Sequence, residues 1–146
     1  MISDTAERYS PWYATPVVER NRVLVMGVVN LTPDSFFDGG RLPTVQAAHD
    51  HAMALVRDGA HFLDLGAESS RPGAEPLDHE TEIRRLLPVL EQLYDCPVPL
   101  SVDTYHAATA RRALAAGATI INDISALRHD PQMAEVIAEA RCPCVL

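Results

Sequence analysis

The sequence predicts an α/β fold of the (β/α)8 barrel type, with only about the first four and a half of the eight βα units present. Three observations lead there. Apolar strand-like runs alternate along the chain with stretches of helical period. The connections between them are short, which implies a parallel sheet with right-handed crossovers. Each apolar run also ends on a polar residue with no evident structural reason. A doubly wound sheet is the competing architecture, but it would usually carry a glycine-rich phosphate turn after its first strand, and G-x-G-x-x-G is absent. A barrel places working residues at the ends of nearly every strand. Asn30, the stretch 64–71, Asp103 and the pair Asn122–Asp123 match that pattern, so the barrel is favoured. A full barrel takes about 250 residues. The 146 residues here supply about half.

The elements follow in order. Residues 1–19 have no clear period, are broken by Pro11 and Pro16, and read as a lead-in segment; residues 20–146 read as the barrel domain. Residues 23–30 are apolar throughout, as a strand buried on both faces is. Residues 44–57 place Val45, Ala48, Ala52, Leu55 and Val56 on one helix face, and Gly59 suits the C-terminal cap. A second strand covers 61–66. A second helix covers 78–94, with Ile83, Leu86, Leu87 and Leu90 as its stripe. A third strand at 100–104 leads into an alanine-rich helix at 106–116, closed by Gly117. A fourth strand covers 119–124. A fourth helix covers 130–140, with Asp130 as N-cap and Pro131 at its first position. Residues 142–146 begin a fifth strand.

Composition narrows the function. An apolar content of 47% supports a packed core. Net charge is −8 with no basic run, so nucleic acid is not expected as a partner. All 12 cations are arginine, which excludes a lysine Schiff base or a lysine general base within this chain. No apolar stretch approaches the roughly 20 residues of a membrane span. The N-terminus does not read as a signal peptide. Cys96, Cys142 and Cys144 form no C-x-x-C pair, which fits a reduced, cytoplasmic setting better than a zinc site. Six histidines are scattered, without H-E-x-x-H or a Ser-His-Asp order.

The chemistry concentrates at the strand tips. Asn30 ends an apolar strand and offers either an uncharged oxygen for Mg²⁺ or a hydrogen bond to substrate. The loop at 31–41 carries Phe36 and Phe37 among polar residues, as a lid closing an aromatic over a planar substrate would. The turn GAESSRPG at 66–73 sets hydroxyls and the planar fork of Arg71 beside Pro72, suited to a carboxylate or phosphate. Asp103 closes SVDT and Asn122 sits in IIND. Polar groups in apolar strands are costly unless bonded. A carboxylate and an amide together suit a flat heterocycle with a guanidine-like edge, such as a pterin or purine. Asp123 faces the other side of its strand and reads as structural.

With these residues assembled, the chain resembles the dihydropteroate synthase family of pterin-binding enzymes. MGVVNLTPDSFFDGG is similar to that family's first signature, FLDLGAESSRPGA to its second, and LSVDT and AGATIINDIS to the next two strands. Ala67 and Ser70 stand where the family usually has glycine and threonine. The resemblance implies a (β/α)8 barrel. It also implies a reaction in which p-aminobenzoate condenses with 6-hydroxymethyl-7,8-dihydropterin diphosphate, giving 7,8-dihydropteroate and pyrophosphate with Mg²⁺ as cofactor. By residue, it implies Asn30 on Mg²⁺ and the diphosphate, and Asp103 and Asn122 on the pterin. Phe36 and Asp38 would close over the site, Asp38 stabilising positive charge as pyrophosphate departs. Ser70, Arg71 and Pro72 would shape the p-aminobenzoate and pyrophosphate side.

The expected partners are therefore these small molecules, with a homodimer allowed and neither nucleic acid nor membrane engaged. The family's later strands supply a further aspartate, a lysine and an arginine–histidine pair, which fall beyond this chain, so its activity alone is expected to be reduced. Two other readings compete: a non-catalytic remnant that binds pterin, and a pterin-dependent methyltransferase domain.

Overall fold

The computed structural model describes residues 23–32, 44–68 and 76–146. Strands and helices alternate along them: β1 (Met26–Asn30), α1 (Val45–Arg57), β2 (Phe62–Gly66), α2 (His79–Gln92), β3 (Leu100–Asp103), α3 (Ala107–Ala115), β4 (Ile120–Asn122), α4 (Met133–Ala140) and β5 (Cys144–Val145). The expected lead-in at 1–19 lies outside the described residues.

The strands form one sheet in the order β1-β2-β3-β4-β5, and every neighbouring pair is parallel. This settles the choice of architecture. A doubly wound sheet reverses its strand order at a switch point, whereas here sequence order and spatial order coincide. Consecutive right-handed crossovers then set the helices on one face. The helices also touch in chain order, α1 with α2, α2 with α3 and α3 with α4. The result is the curved, singly wound layer of a partial (β/α)8 barrel.

Alternation along the strands separates two faces. Val29, Leu63, Leu65, Leu100, Val102 and Ile121 share the helix-facing side and are all buried. They belong to one core with Ala48, Ala52, Leu86, Leu90, Ala110 and Ala113 from the helices. Small residues on α1 and α3 let those helices sit close to the sheet. The opposite face carries Val28, Asp64, Ser101 and Ile120, with the strand tips above them. No helix among the described residues is long and apolar enough to cross a membrane.

Local signals account for the helix ends. Thr44 caps α1, its hydroxyl accepting from the Ala47 N–H at 3.1 Å. Asp78 caps α2, accepting from the Thr81 N–H at 2.9 Å. Gly59 and Gly117 follow the ends of α1 and α3 with φ of +101° and +108°, where a side chain would be strained. The fourth helix departs from expectation. It begins at Met133, after the position 132 cap, and Pro131 lies in the preceding turn. Asp130 does not cap it. One Asp130 oxygen accepts from the Gln132 N–H at 3.0 Å, while the other reaches across to the Ala107 N–H at 2.9 Å. The open N-terminus of α3 draws the carboxylate, because its own cap position, His106, supplies no side-chain acceptor.

Gly27 marks the tightest approach of α1 to the sheet. A Cβ there would meet Leu63 Cδ2 at 3.0 Å, Ala60 Cβ at 3.1 Å and Leu55 Cβ at 3.2 Å. Gly27→Ala is therefore expected to destabilise the chain by about 1–3 kcal/mol through overpacking. A urea titration followed by circular dichroism checks this, and an unchanged midpoint would contradict it.

Candidate functional site

Register brings the polar strand tips to one level. Asn30 pairs with Gly66, Gly66 with Asp103, and Asp103 with Asn122. Directly paired residues of a parallel sheet point to the same side, so Asn30, Asp103 and Asn122 form a row on the face away from the helices. They sit at the C-terminal edge, where barrels keep their chemistry. Glycine at 66 leaves the middle of the row open. A Cβ there would lie 3.5 Å from Asp103 Cβ and from Asp103 Oδ2.

Asp103 is half-buried and accepts no side-chain hydrogen bond from the described residues. Burial pushes its carboxyl up to about 6, and Asp64, Glu82, Glu68 and Asp123 add to the shift by repulsion. The group is thus a carboxylate poised to gain from a donor-bearing cation or guanidine-like edge.

One layer deeper, Asp64 is only 4% exposed. Its Oδ2 accepts from Asn122 Nδ2 at 3.0 Å. Its Oδ1 and the neighbouring Ser101 Oγ are buried without a hydrogen-bond partner among the described residues.

The mouth is braced from outside the row. Tyr105 donates its hydroxyl to Glu68 at 2.7 Å, and Glu68 Oε2 accepts from the Leu77 N–H at 3.0 Å. This ties the segment after β2 to the segment after β3. Burial and the hydrogen bond to Glu68 raise the Tyr105 hydroxyl well above its ordinary value. Arg85 reaches the Ala67 carbonyl at 3.0 Å. Beneath Asp103, Glu82 of α2 is 2% exposed. Its Oε2 accepts from Thr104 Oγ1 at 2.9 Å and from Thr109 Oγ1 at 2.5 Å, and lies 3.1 Å from His106 Nδ1. Asp123 is structural, as expected. It is fully buried, and its two oxygens accept from the N–H groups of Ser125 and Leu127. They hold a turn in which Ala126 and Leu127 adopt φ of 53° and 61°.

The structure thus brings Asn30, Asp103 and Asn122 together. Phe36, Asp38, Ser70, Arg71 and Pro72 lie outside the described residues. Cys96, Cys142 and Cys144 form no disulfide among the described residues. Sequence reasoning took in Asp64 and Glu68 only as members of the stretch 64–71, with no role of their own, and overlooked Glu82 and Tyr105. Asp64 carried a readable signal, since an acid inside FLDLG is as conspicuous as one inside SVDT. Glu82 carried another, being four and seven residues before Leu86 and Val89 and so on the buried side of its helix.

Polar tips in one row above a singly wound parallel sheet define a barrel-type α/β protein with its polar groups gathered at the C-terminal edge of the strands. The chain belongs to the family of pterin binding enzymes, whose model matches residues 26–146. It is 49% identical over 128 residues to the dihydropteroate synthase of Bacillus subtilis, covering 87% of this chain and 45% of that one. Among solved structures, it is similar to a Xanthomonas albilineans dihydropteroate synthase with 4-aminobenzoic acid, with a TM-score of 0.80 and 50% identity over 86% of this chain and 47% of that one. The same organism's enzyme in complex with 7,8-dihydropteroate matches with a TM-score of 0.74 and 46% identity, over 86% of this chain and 45% of that one. The chain spans about half the length of the relatives it matches.

Proposed function

We propose that this chain carries half of a dihydropteroate synthase site, with Asp103 and Asn122 holding the dihydropterin and Asn30 facing its diphosphate. The in-register row of strand tips carries this reading. A carboxylate and an amide on adjacent strands match the flat, donor-rich edge of a pterin. Relatives solved with 4-aminobenzoic acid and 7,8-dihydropteroate support the two substrates. In the reaction, the arylamine nitrogen bonds to the pterin methylene carbon as the carbon–oxygen bond to diphosphate breaks, and the amine loses a proton. The nucleophile is the substrate's own nitrogen, so none is needed from the protein.

Mg²⁺ belongs to this proposal. Among the described residues no cluster of three His, Cys, Asp or Glu side chains is placed to hold a metal. Asn30 fits a different kind of site. It is exposed at the strand tip and would offer one neutral oxygen to an ion that keeps waters and binds chiefly through substrate phosphates. Bound there, Mg²⁺ would neutralise the leaving diphosphate. Phe36 and Asp38 are proposed to close over the pterin, and Ser70, Arg71 and Pro72 to line the p-aminobenzoate and pyrophosphate side. Three cysteines with no disulfide among the described residues support a reducing, cytoplasmic setting.

Purified chain mixed with both substrates and Mg²⁺ is expected to form dihydropteroate slowly, and EDTA is expected to stop it. Absence of product together with absence of pterin binding would reject the proposal. Methyl transfer from a methylated folate would replace it with the methyltransferase reading.

A further inference from the structure

We infer that Asp64 is a positioning residue that sets the orientation of the Asn122 amide, and thereby makes the site select a reduced pterin over an oxidised one. This rests on the pterin reading above and deepens it. Asn122 Nδ2 lies 3.0 Å from Asp64 Oδ2. With its nitrogen donating down to Asp64, the amide turns its oxygen up towards the row. Asp103, its in-register neighbour, is an acceptor as well. The two tips together then present acceptors.

Asp64 has little value as a stabilising residue. It is almost fully buried, and among the described residues it makes that one side-chain hydrogen bond and its second oxygen has no partner. Ser101 Oγ, paired with it in register, is buried and equally unpartnered. A buried acid satisfied this poorly is costly compared with an apolar residue of similar volume. A requirement for the acceptor at this depth accounts for it.

The chemical consequence falls on the pterin ring. In a 7,8-dihydropterin N8 carries a hydrogen and donates. In the fully oxidised pterin N8 carries a lone pair and accepts. A wall of acceptors matches the first and repels the second.

The test is calorimetric titration of the chain with 7,8-dihydro-6-hydroxymethylpterin and with oxidised 6-hydroxymethylpterin. Wild type is expected to bind the reduced form about tenfold more tightly, the worth of one hydrogen bond replaced by a mismatch. Asp64→Asn provides either a donor or an acceptor beneath Asn122 and lets the amide turn over, so the ratio should fall towards one while the reduced pterin still binds. Asp103→Asn should weaken both ligands. Equal binding of both pterins by wild type, or an unchanged ratio in Asp64→Asn, would overturn the assignment and leave the pterin reading standing. Binding of neither pterin would reject the pterin reading and this assignment with it. A second measurement needs no variant. In wild type, one side-chain amide proton of Asn122 should exchange slowly with water by NMR, and rapid exchange of both would overturn the orientation.

Discussion

Replacing Glu82 with alanine is expected to destabilise the chain by about 3–5 kcal/mol, the usual cost of removing one partner from a buried charged network. The single oxygen Oε2 accepts from Thr104 and Thr109 and faces His106 Nδ1. Truncation would strand these groups, each costing about 1–3 kcal/mol when left unsatisfied, and would open a cavity between α2 and α3. Glu82→Gln keeps the shape and one acceptor, so its loss should be nearer about 1–2 kcal/mol. Urea titration separates the two; an alanine variant within about 1 kcal/mol of wild type would refute the role.

The same substitution should be felt at the site. Glu82 is among the charges that push Asp103 upward. With glutamine at that position, the Asp103 titration followed by carboxyl NMR should move down from about 6. Thr104 directly follows Asp103, and its hydroxyl also accepts from the His106 N–H at 3.1 Å. The network therefore anchors the segment in which the third strand tip lies, linking a helix-buried acid to the geometry of the mouth.

How much of this was legible in the sequence depends on the kind of signal. Strands buried on one or both faces announce themselves as apolar runs, so β1 to β4 were readable, and the absence of a glycine-rich turn pointed to a barrel. The polar tips were readable for the same reason, since Asn30, Asp103 and Asn122 each interrupt or end an apolar run. Their convergence was not contained in any one of them. It follows from register, which places residues 30, 66, 103 and 122 at one level. Interactions between distant elements were the hidden part. Asp130 reads locally as the cap of the helix after it, yet one of its oxygens serves α3 from a segment 23 residues away. Glu82 reads as a first-turn acid that favours the helix dipole. Its burial depends on two threonines and a histidine from the segment after β3.

Asp103→Asn should move stability and ligand binding in opposite directions. The folded-state pKa, about 6, lies above the ordinary carboxylate value of 3.8. The stability associated with Asp103 is therefore fully present below about 3.8 and lost as pH rises through about 6. An uncharged amide escapes that loss. The variant should match wild type near pH 4 and be more stable at pH 8, as thermal melts across this range would show. Binding should go the other way. The ionised carboxylate accepts charge-assisted hydrogen bonds worth about 1.5–3 kcal/mol, so the variant should bind 7,8-dihydro-6-hydroxymethylpterin about 10–150-fold more weakly at pH 8. Wild-type affinity should climb with pH to about 6 and then level off, because only the ionised form accepts both donors of the pterin edge. The variant should lack that inflection. A carboxylate kept for structure would lose stability when replaced. One kept for a ligand gains stability and loses the ligand, because its repulsion by Asp64, Glu82, Glu68 and Asp123 is relieved only when a donor-rich edge arrives. A variant less stable than wild type at pH 8, or one with undiminished pterin affinity, would reverse this assignment.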